Sequence, residues 1–488
     1  MKMITDLGIL PEKRPIKIVQ FGEGNFLRAF VDNMIDIANE KGFFDGSIAI
    51  IKPISYGSLE NFKKQNNLYT TVLRGKENGK TVYTSRVIRC ISRVLDAAED
   101  YDEYMSLAEL DSLEFIVSNT TEAGIVLKKD DSIDALPDSY PGKLTKFLFK
   151  RYEHFNGDPS KGLIVLPVEL IENNGEKLLE CVLALSDIWQ LPDGFKKWIV
   201  ENNTFCSTLV DRIVTGYPGK EAAELIYNDI GYEDTLLDVG EPFALWVIES
   251  KTDISERLPL DKAGLPVIFT DNQRPYRERK VRVLNGAHTS SVLAAYLCGF
   301  DIVRDCMSDR LVGSFIRRAV TEEIAPHVPL PYGEVLDFAS SVFERFENPF
   351  IDHSLLAISL NSVSKWRSRV LPSFKDHVKS TGLVPRLLTF SFAALLAFYT
   401  SDEYVDGTLK ATRSNGDVYS VRDDRSVLEF FAENSKKPAE EFVRLACMRI
   451  DFWGEDLTKY DTFESEVTRY LDLIRKDPIG AMKLVMEN

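Results

Sequence analysis

The hydrophobic pattern changes character near residue 270. Before it, short β-branched and aromatic runs alternate with Gly, Pro and Asn, which is the signature of strands and turns. Such runs occupy residues 16–21, 46–54, 68–73, 81–92, 113–118, 163–170 and 242–248, and Asn78-Gly79 predicts a hairpin turn. Helical spacing intervenes at residues 25–39, through Phe26, Phe30, Met34 and Ile37, and again at 144–155. After residue 280 nearly every segment is helical in period: 281–297, 310–324, 334–346, 354–371, 385–399, 427–433, 440–452 and 464–473. A polar, proline-bearing stretch at residues 271–279 separates the two regimes, as domain connections often do. The pattern predicts an α/β protein. A Rossmann-like N-terminal domain with a mostly parallel sheet would fill residues 1–271, and an all-α domain residues 272–488.

The first strand runs directly into Phe21-Gly22-Glu23-Gly24-Asn25-Phe26-Leu27-Arg28. A glycine turn between strand and helix lets the backbone approach a pyrophosphate at the helix N-terminus. Leu27 stands where G-x-G-x-x-G has its third glycine, so by pattern alone this is equally a plain strand–turn–helix corner. The strand at 113–118 ends in Asn119 and Thr120 and continues through Glu122 to Gly124. In a doubly wound sheet that is a place for cofactor contacts; as a structural feature it is a capped turn. The second strand ends in Lys52-Pro53, where an NAD enzyme often carries an acid for the ribose hydroxyls. Taken physically, Lys52 favours a 2′-phosphate and points toward NADP.

The chemistry concentrates in residues 280–288. Residues 281–297 are dense in apolar and small side chains and lack proline, so they predict a mostly buried helix. At about 100° per residue, Asn285 lies roughly 140° and His288 roughly 80° around from Lys280. An ammonium, a carboxamide and an imidazole buried together cost several kcal/mol unless they have partners. The set suits proton transfer beside a carbonyl: a desolvated lysine serves as acid and base, and the amide and imidazole steady the oxygen. Singly, Lys280 is a solvated helix start, His288 a satisfied core histidine, and Asn285-Gly286 a turn.

Lys280-x4-Asn285-x2-His288 resembles the signature of the polyol-specific long-chain dehydrogenases, the mannitol dehydrogenase family. The resemblance extends from about Ile16 to beyond Asp451, and the wider segment around Lys280 is most similar to a branch acting on sugar acids. It implies NAD as cofactor, held by residues 21–28 with Asn119 and Thr120. It implies Lys280, Asn285 and His288 as the catalytic set. Val210 and Asp211 match positions bordering the substrate; on residue type alone, Asp211 and Arg212 are equally an ion pair on a loop. Lys365 matches the lysine of the family's Arg-x7-Lys substrate segment, whose arginine position falls on Ala357. Lys365 is therefore the candidate for a substrate carboxylate, with Arg277 and Arg279 as alternatives. Family members carry Asp-Asn where Glu169-Leu170 stands before Asn174-Gly175, so Glu169 inherits no role.

Composition narrows the partners. A net charge of −16 over 488 residues repels nucleic acid and anionic membranes. The N-terminus has no long apolar core or cleavage site, which predicts a cytoplasmic protein. The apolar run at 387–399 is too short to span a bilayer. Six scattered cysteines form no Cys-x-x-Cys pair and five histidines show no ligand spacing, so no metal site is expected. The substrate that the resemblance implies is a small keto sugar acid or its aldonate. A polyol substrate, or a catalytically silent nucleotide-binding regulator, is the alternative.

Overall fold

The computed structural model describes residues 1–121, 123–401 and 403–487. The chain forms two compact units. The first comprises residues 1–74 and 81–273, the second residues 75–80 and 274–488.

The first unit is built on a six-stranded parallel sheet: β1 (Ile16–Phe21), β2 (Ser47–Lys52), β3 (Ile91–Asp96), β4 (Phe115–Ser118), β5 (Ile164–Pro167) and β6 (Thr204–Phe205). Their spatial order is β3-β2-β1-β4-β5-β6, that of a doubly wound dinucleotide-binding sheet. Both faces are covered, which is why these strands read as continuous apolar runs. Ile18, Ile48, Ile50, Phe115 and Val117 enter one core beside Leu27, Phe30 and Met34 of the helix after β1. Val19, Phe21, Ala49, Ile51 and Ile116 enter the other, under Leu144 and Phe147 of Tyr140–His154 and Leu178 of Asn174–Ile188.

The predicted strand at 81–92 is two strands in different sheets. Lys80–Ile88 pairs with Tyr69–Glu77, and Ile91–Asp96 turns into the parallel sheet. The break falls at the fully buried Cys90. A smaller sheet joins Ser207–Asp211, Leu245–Glu249 and Val267–Thr270.

The second unit is helical around Arg386–Phe398, buried from Leu387 to Phe398, and packed by Gly286–Leu297 and Phe463–Lys476. Among the described residues no helix is long and apolar enough to cross a membrane. Two features depart from the helical pattern. Glu403–Val405, Thr408–Thr412 and Val418–Val421 form a β-meander, whose first turn holds Asp406 and Gly407 at φ 49° and 71°. The predicted helix at 354–371 is broken into Leu355–Ile358, Ser362–Arg369 and Leu371–Thr381, because Asn361 adopts φ 54°.

Candidate active site

The nucleotide loop leaves β1 at Gly22, whose φ of 122° favours glycine. A Cβ there would meet the Asn119 carbonyl oxygen at 3.0 Å, so the loop after β1 lies directly against the end of β4. Gly24 precedes the first helical turn, is exposed, and has no heavy atom within 4 Å of where a Cβ would stand. That open helix start, with unsatisfied N–H groups, fits an incoming pyrophosphate. Asn25 is exposed beside it, and Phe26 is half-buried and stacked on Phe30 at 4.9 Å. Leu27, at the missing glycine, is a core residue.

Arg28 turns inward. It donates to the Leu236 carbonyl at 2.6 Å and to Asn25 Oδ1, and lies over the rings of Tyr69 and Phe62. Residues 28–32 form a π-turn. Glu23 is half-buried, and burial raises its pKa.

The end of β4 is held by a residue to which the sequence assigned no role. Glu169 is 1% exposed, accepts from Thr120 N at 3.0 Å and Thr120 Oγ1 at 2.9 Å, and takes Ser118 Oγ at 3.1 Å. Thr121, next in the loop, is held at φ 91°, a strained conformation for a β-branched residue. Glu122 lies outside the described residues. Asn174 is fully buried and ties β5 to the Ser207–Asp211 strand, donating to Pro167 O at 3.0 Å and accepting from Thr208 N at 2.8 Å.

At the end of β2, Lys52 is buried and its Nζ sits 2.6 Å from Asp96 Oδ2 at the end of β3. The acid absent from the second strand is supplied by the third. Both residues line a cavity of about 370 Å³ with Pro53, Tyr56, Pro137 and Lys143, at the carboxyl ends of the strands where doubly wound sheets bind nucleotides.

In the helical unit, Arg274–Arg279 continues through a π-helical segment, Lys280–Asn285, into Gly286–Leu297. Gly286 N–H donates to the carbonyl of Val281, five residues back. Closure from i to i+5 places position 285 over 280 much as i+4 lies over i in an α-helix, an offset of roughly 40°. The 140° expected for a regular helix is thereby corrected, and Lys280 and Asn285 come onto one face. π-Bulges recur at functional sites for this kind of reason.

The Asn285 carboxamide is half-exposed and makes no hydrogen bond among the described residues. His288 stacks face to face on Phe346 at 4.1 Å and meets His353 edge-on at 5.2 Å. Its Nε2 is buried and has no hydrogen-bond partner among the described residues. Burial, then His353 and the nearby cations Arg345, Arg369 and Lys365, hold its pKa well below the usual imidazole value, so the ring is neutral at neutral pH.

Lys365 and Arg369 share the Ser362–Arg369 helix, and Lys365 Nζ donates to Ile358 O at 2.9 Å. Ala357 is exposed on the preceding turn. Arg279 is buried with its guanidinium over Phe338 at 4.4 Å and Tyr276 at 5.4 Å. In the first unit, Val210 and Asp211 are buried at the end of Ser207–Asp211, paired with Trp246 and Leu245. Among the described residues no ion pair joins Asp211 to Arg212. Arg212 instead donates to the carbonyls of Ala29, Pro242 and Phe243, which supply the partners a guanidinium drawn out of water requires.

The profile described as mannitol dehydrogenase Rossmann domain matches residues 16–262, and that described as mannitol dehydrogenase C-terminal domain matches residues 272–475. An altronate oxidoreductase of Yersinia enterocolitica is 44% identical over 94% of each chain, and one of Escherichia coli O7:K1 is 42% identical over the same share. Among solved structures, a substrate-free D-sorbitol dehydrogenase matches with TM-score 0.79 at 21% identity, covering 99% of this chain and 100% of its own. A Pseudomonas fluorescens mannitol 2-dehydrogenase ternary complex with NAD and D-mannitol matches at 0.64 and 20%, covering 98% and 95%. Two family profiles along most of the chain, and relatives well above 30% identity along nearly all of it, place this protein in the mannitol dehydrogenase family.

Proposed function

We propose that this chain is a cytoplasmic NAD-dependent altronate oxidoreductase, interconverting D-altronate and D-tagaturonate in hexuronate breakdown. The observation that carries the reading is near-full-length identity of 42–44% to proteins of that name, in a chain that carries Lys280, Asn285 and His288 on two successive turns of one continuous helical stretch. When bound, NADH would supply the hydride in reduction and NAD would accept it in oxidation. The open helix start at Gly24 and the loop at Asn119 and Thr120, clamped by Glu169, are the residues that would hold it. In reduction, Lys280 Nζ gives its proton to the keto oxygen. The uncommitted amide of Asn285 and the unpartnered Nε2 of His288 hold that oxygen as its charge develops, the donor arrangement of an oxyanion site. In oxidation Lys280 takes the hydroxyl proton. Val210, Asp211 and Lys365 are assigned to the substrate.

The test is consumption of NADH, followed by absorbance, with tagaturonate, fructuronate and fructose offered in parallel. Tagaturonate should have the highest kcat/KM. Preference for fructuronate would reassign the chain to mannonate oxidation, and preference for fructose to the mannitol or arabinitol 2-dehydrogenases. A flat trace with all three would favour a silent nucleotide-binding regulator.

A further inference from the structure

The sugar-acid reading leaves open which group receives the carboxylate. Buried or half-buried cations in the helical unit are mostly committed. Arg279 is stacked on two rings, and Arg282 is paired with Asp376 at 2.6 Å and bonded to the His327 carbonyl.

Arg369 differs. Its guanidinium is drawn partly out of water, makes no ion pair among the described residues, and has one long hydrogen bond, 3.5 Å to Thr289 Oγ1. A guanidinium presents five donors in a rigid fork, so most of its capacity is unused. A cation removed from water without an acceptor is costly, and the cost falls when an anion docks.

Its position is fixed by the signature itself. A Cβ on Gly286, between Asn285 and His288, would meet the Arg369 carbonyl oxygen at 3.2 Å. The absent side chain lets the Ser362–Arg369 helix press against the reacting turn. Thr289, which receives the Arg369 hydrogen bond, follows His288 directly, and the charges of Arg369 and Lys365 both reach the His288 ring. Lys365 lies one helical turn before Arg369, on the same face.

We propose that Arg369 is the specificity-determining residue for sugar acids: its fork takes the substrate carboxylate end-on, with Lys365 as the second cation, beside the turn that holds Asn285 and His288. The inference rests on the reading of the chain as a sugar-acid oxidoreductase. Bidentate pairing explains why an arginine, rather than a second lysine, is needed there.

The experiment compares wild type, Arg369→Met, Arg369→Lys and Lys365→Met on tagaturonate and on the neutral ketose with CH₂OH in place of its carboxylate. NADH affinity is read separately by fluorescence. Arg369→Met should lower kcat/KM for the acid about 10–100-fold, mainly through KM, as expected for a charged hydrogen bond. It should leave the neutral ketose and NADH binding nearly unchanged, so the acid-to-ketose ratio collapses. Arg369→Lys should recover part of that ratio. An equal loss on both substrates would make the role structural and overturn the proposal, as would an unchanged KM for the acid. Wild type inactive on every sugar acid would instead overturn the functional reading beneath it.

Discussion

A lysine that takes the hydroxyl proton of an aldonate must be neutral beforehand, whereas an exposed lysine with a pKa of about 10.4 is protonated at neutral pH. Altronate oxidation should therefore rise with pH and tagaturonate reduction favour lower pH. Lys280→Ala should lose on the order of 10²–10⁴-fold in kcat, the range for a general acid–base group, yet keep NADH affinity because the glycine loop is untouched. His288 is the rival base. Burial and four neighbouring basic groups keep its pKa well below 6.5, so it is already neutral and resists accepting a proton at assay pH. An added small amine should partly restore Lys280→Ala and leave His288→Ala unimproved, while His288→Gln should keep the wild-type pH profile at lower kcat. Near-normal turnover in Lys280→Ala would discard this mechanism and return His288 to candidacy. The three residue types and their spacing were legible in the sequence. Their shared arc was legible too, from α-helical angles; the π-turn that narrows it was not, because a π-turn depends on which carbonyl each N–H finds, and apolar periodicity does not record that.

Strands of the parallel sheet were legible because burial on both faces demands unbroken apolar runs, and β1, β2, β4 and β5 are such runs. The meander after residue 403 was obscured by its short strands, although Asp406-Gly407 carried a hairpin signal. The cofactor reading of β2 shows what a strand considered alone omits. Lys52 pointed to a 2′-phosphate only because its neighbour in the sheet, Asp96, is 44 residues away in sequence. With Lys52 Nζ 2.6 Å from Asp96 Oδ2, the lysine's charge is already answered, and the extra carboxylate opposes a phosphate. Asp96 also accepts from Ala98 N and Glu99 N through Oδ1, so Asp96→Asn removes the charge while retaining an acceptor for that turn. The wild type should bind NADH in preference to NADPH. Asp96→Asn should tighten NADPH on the order of tenfold by freeing Lys52, with little change in NADH, as measured by fluorescence titration. Equal affinity for the two coenzymes in wild type would show that the ion pair does not decide between them.

At the scale of the whole molecule, both units bury a carboxyl group at a cost that depends on pH. Asp32 and Asp238 in the first unit and Glu323 in the second are each pushed up to about 7, in every case chiefly by burial. Glu323 is partly compensated by the N–H groups of Leu387 and Leu388 at the start of the central helix, and Asp32 by the hydroxyl of Tyr69. Asp238 has Arg28 Nε at 3.8 Å and weak help from the Val239 N–H, and among the described residues neither of its oxygens makes a full hydrogen bond. A folded-state pKa above the unfolded value means that the folded protein holds the proton more tightly. The resulting stabilisation is complete below pH of about 4, and is lost as pH rises through about 7. Asp238→Asn removes that titration and, because the Asp238 charge also raises Asp32, eases the neighbouring one slightly in the same direction. The difference in Tm, variant minus wild type, should therefore grow between pH of about 4 and 7 and level off above it. For a unit of this size about 1 kcal/mol corresponds to roughly 2–4 °C, so a change of several degrees is measurable by calorimetry. A difference that stays constant from pH 4 to 8 would mean that Arg28 keeps Asp238 ionised throughout. In that case the pair would be a true buried salt bridge, and Asp238→Asn would destabilise the protein equally at every pH by leaving the Arg28 cation without its counter-charge.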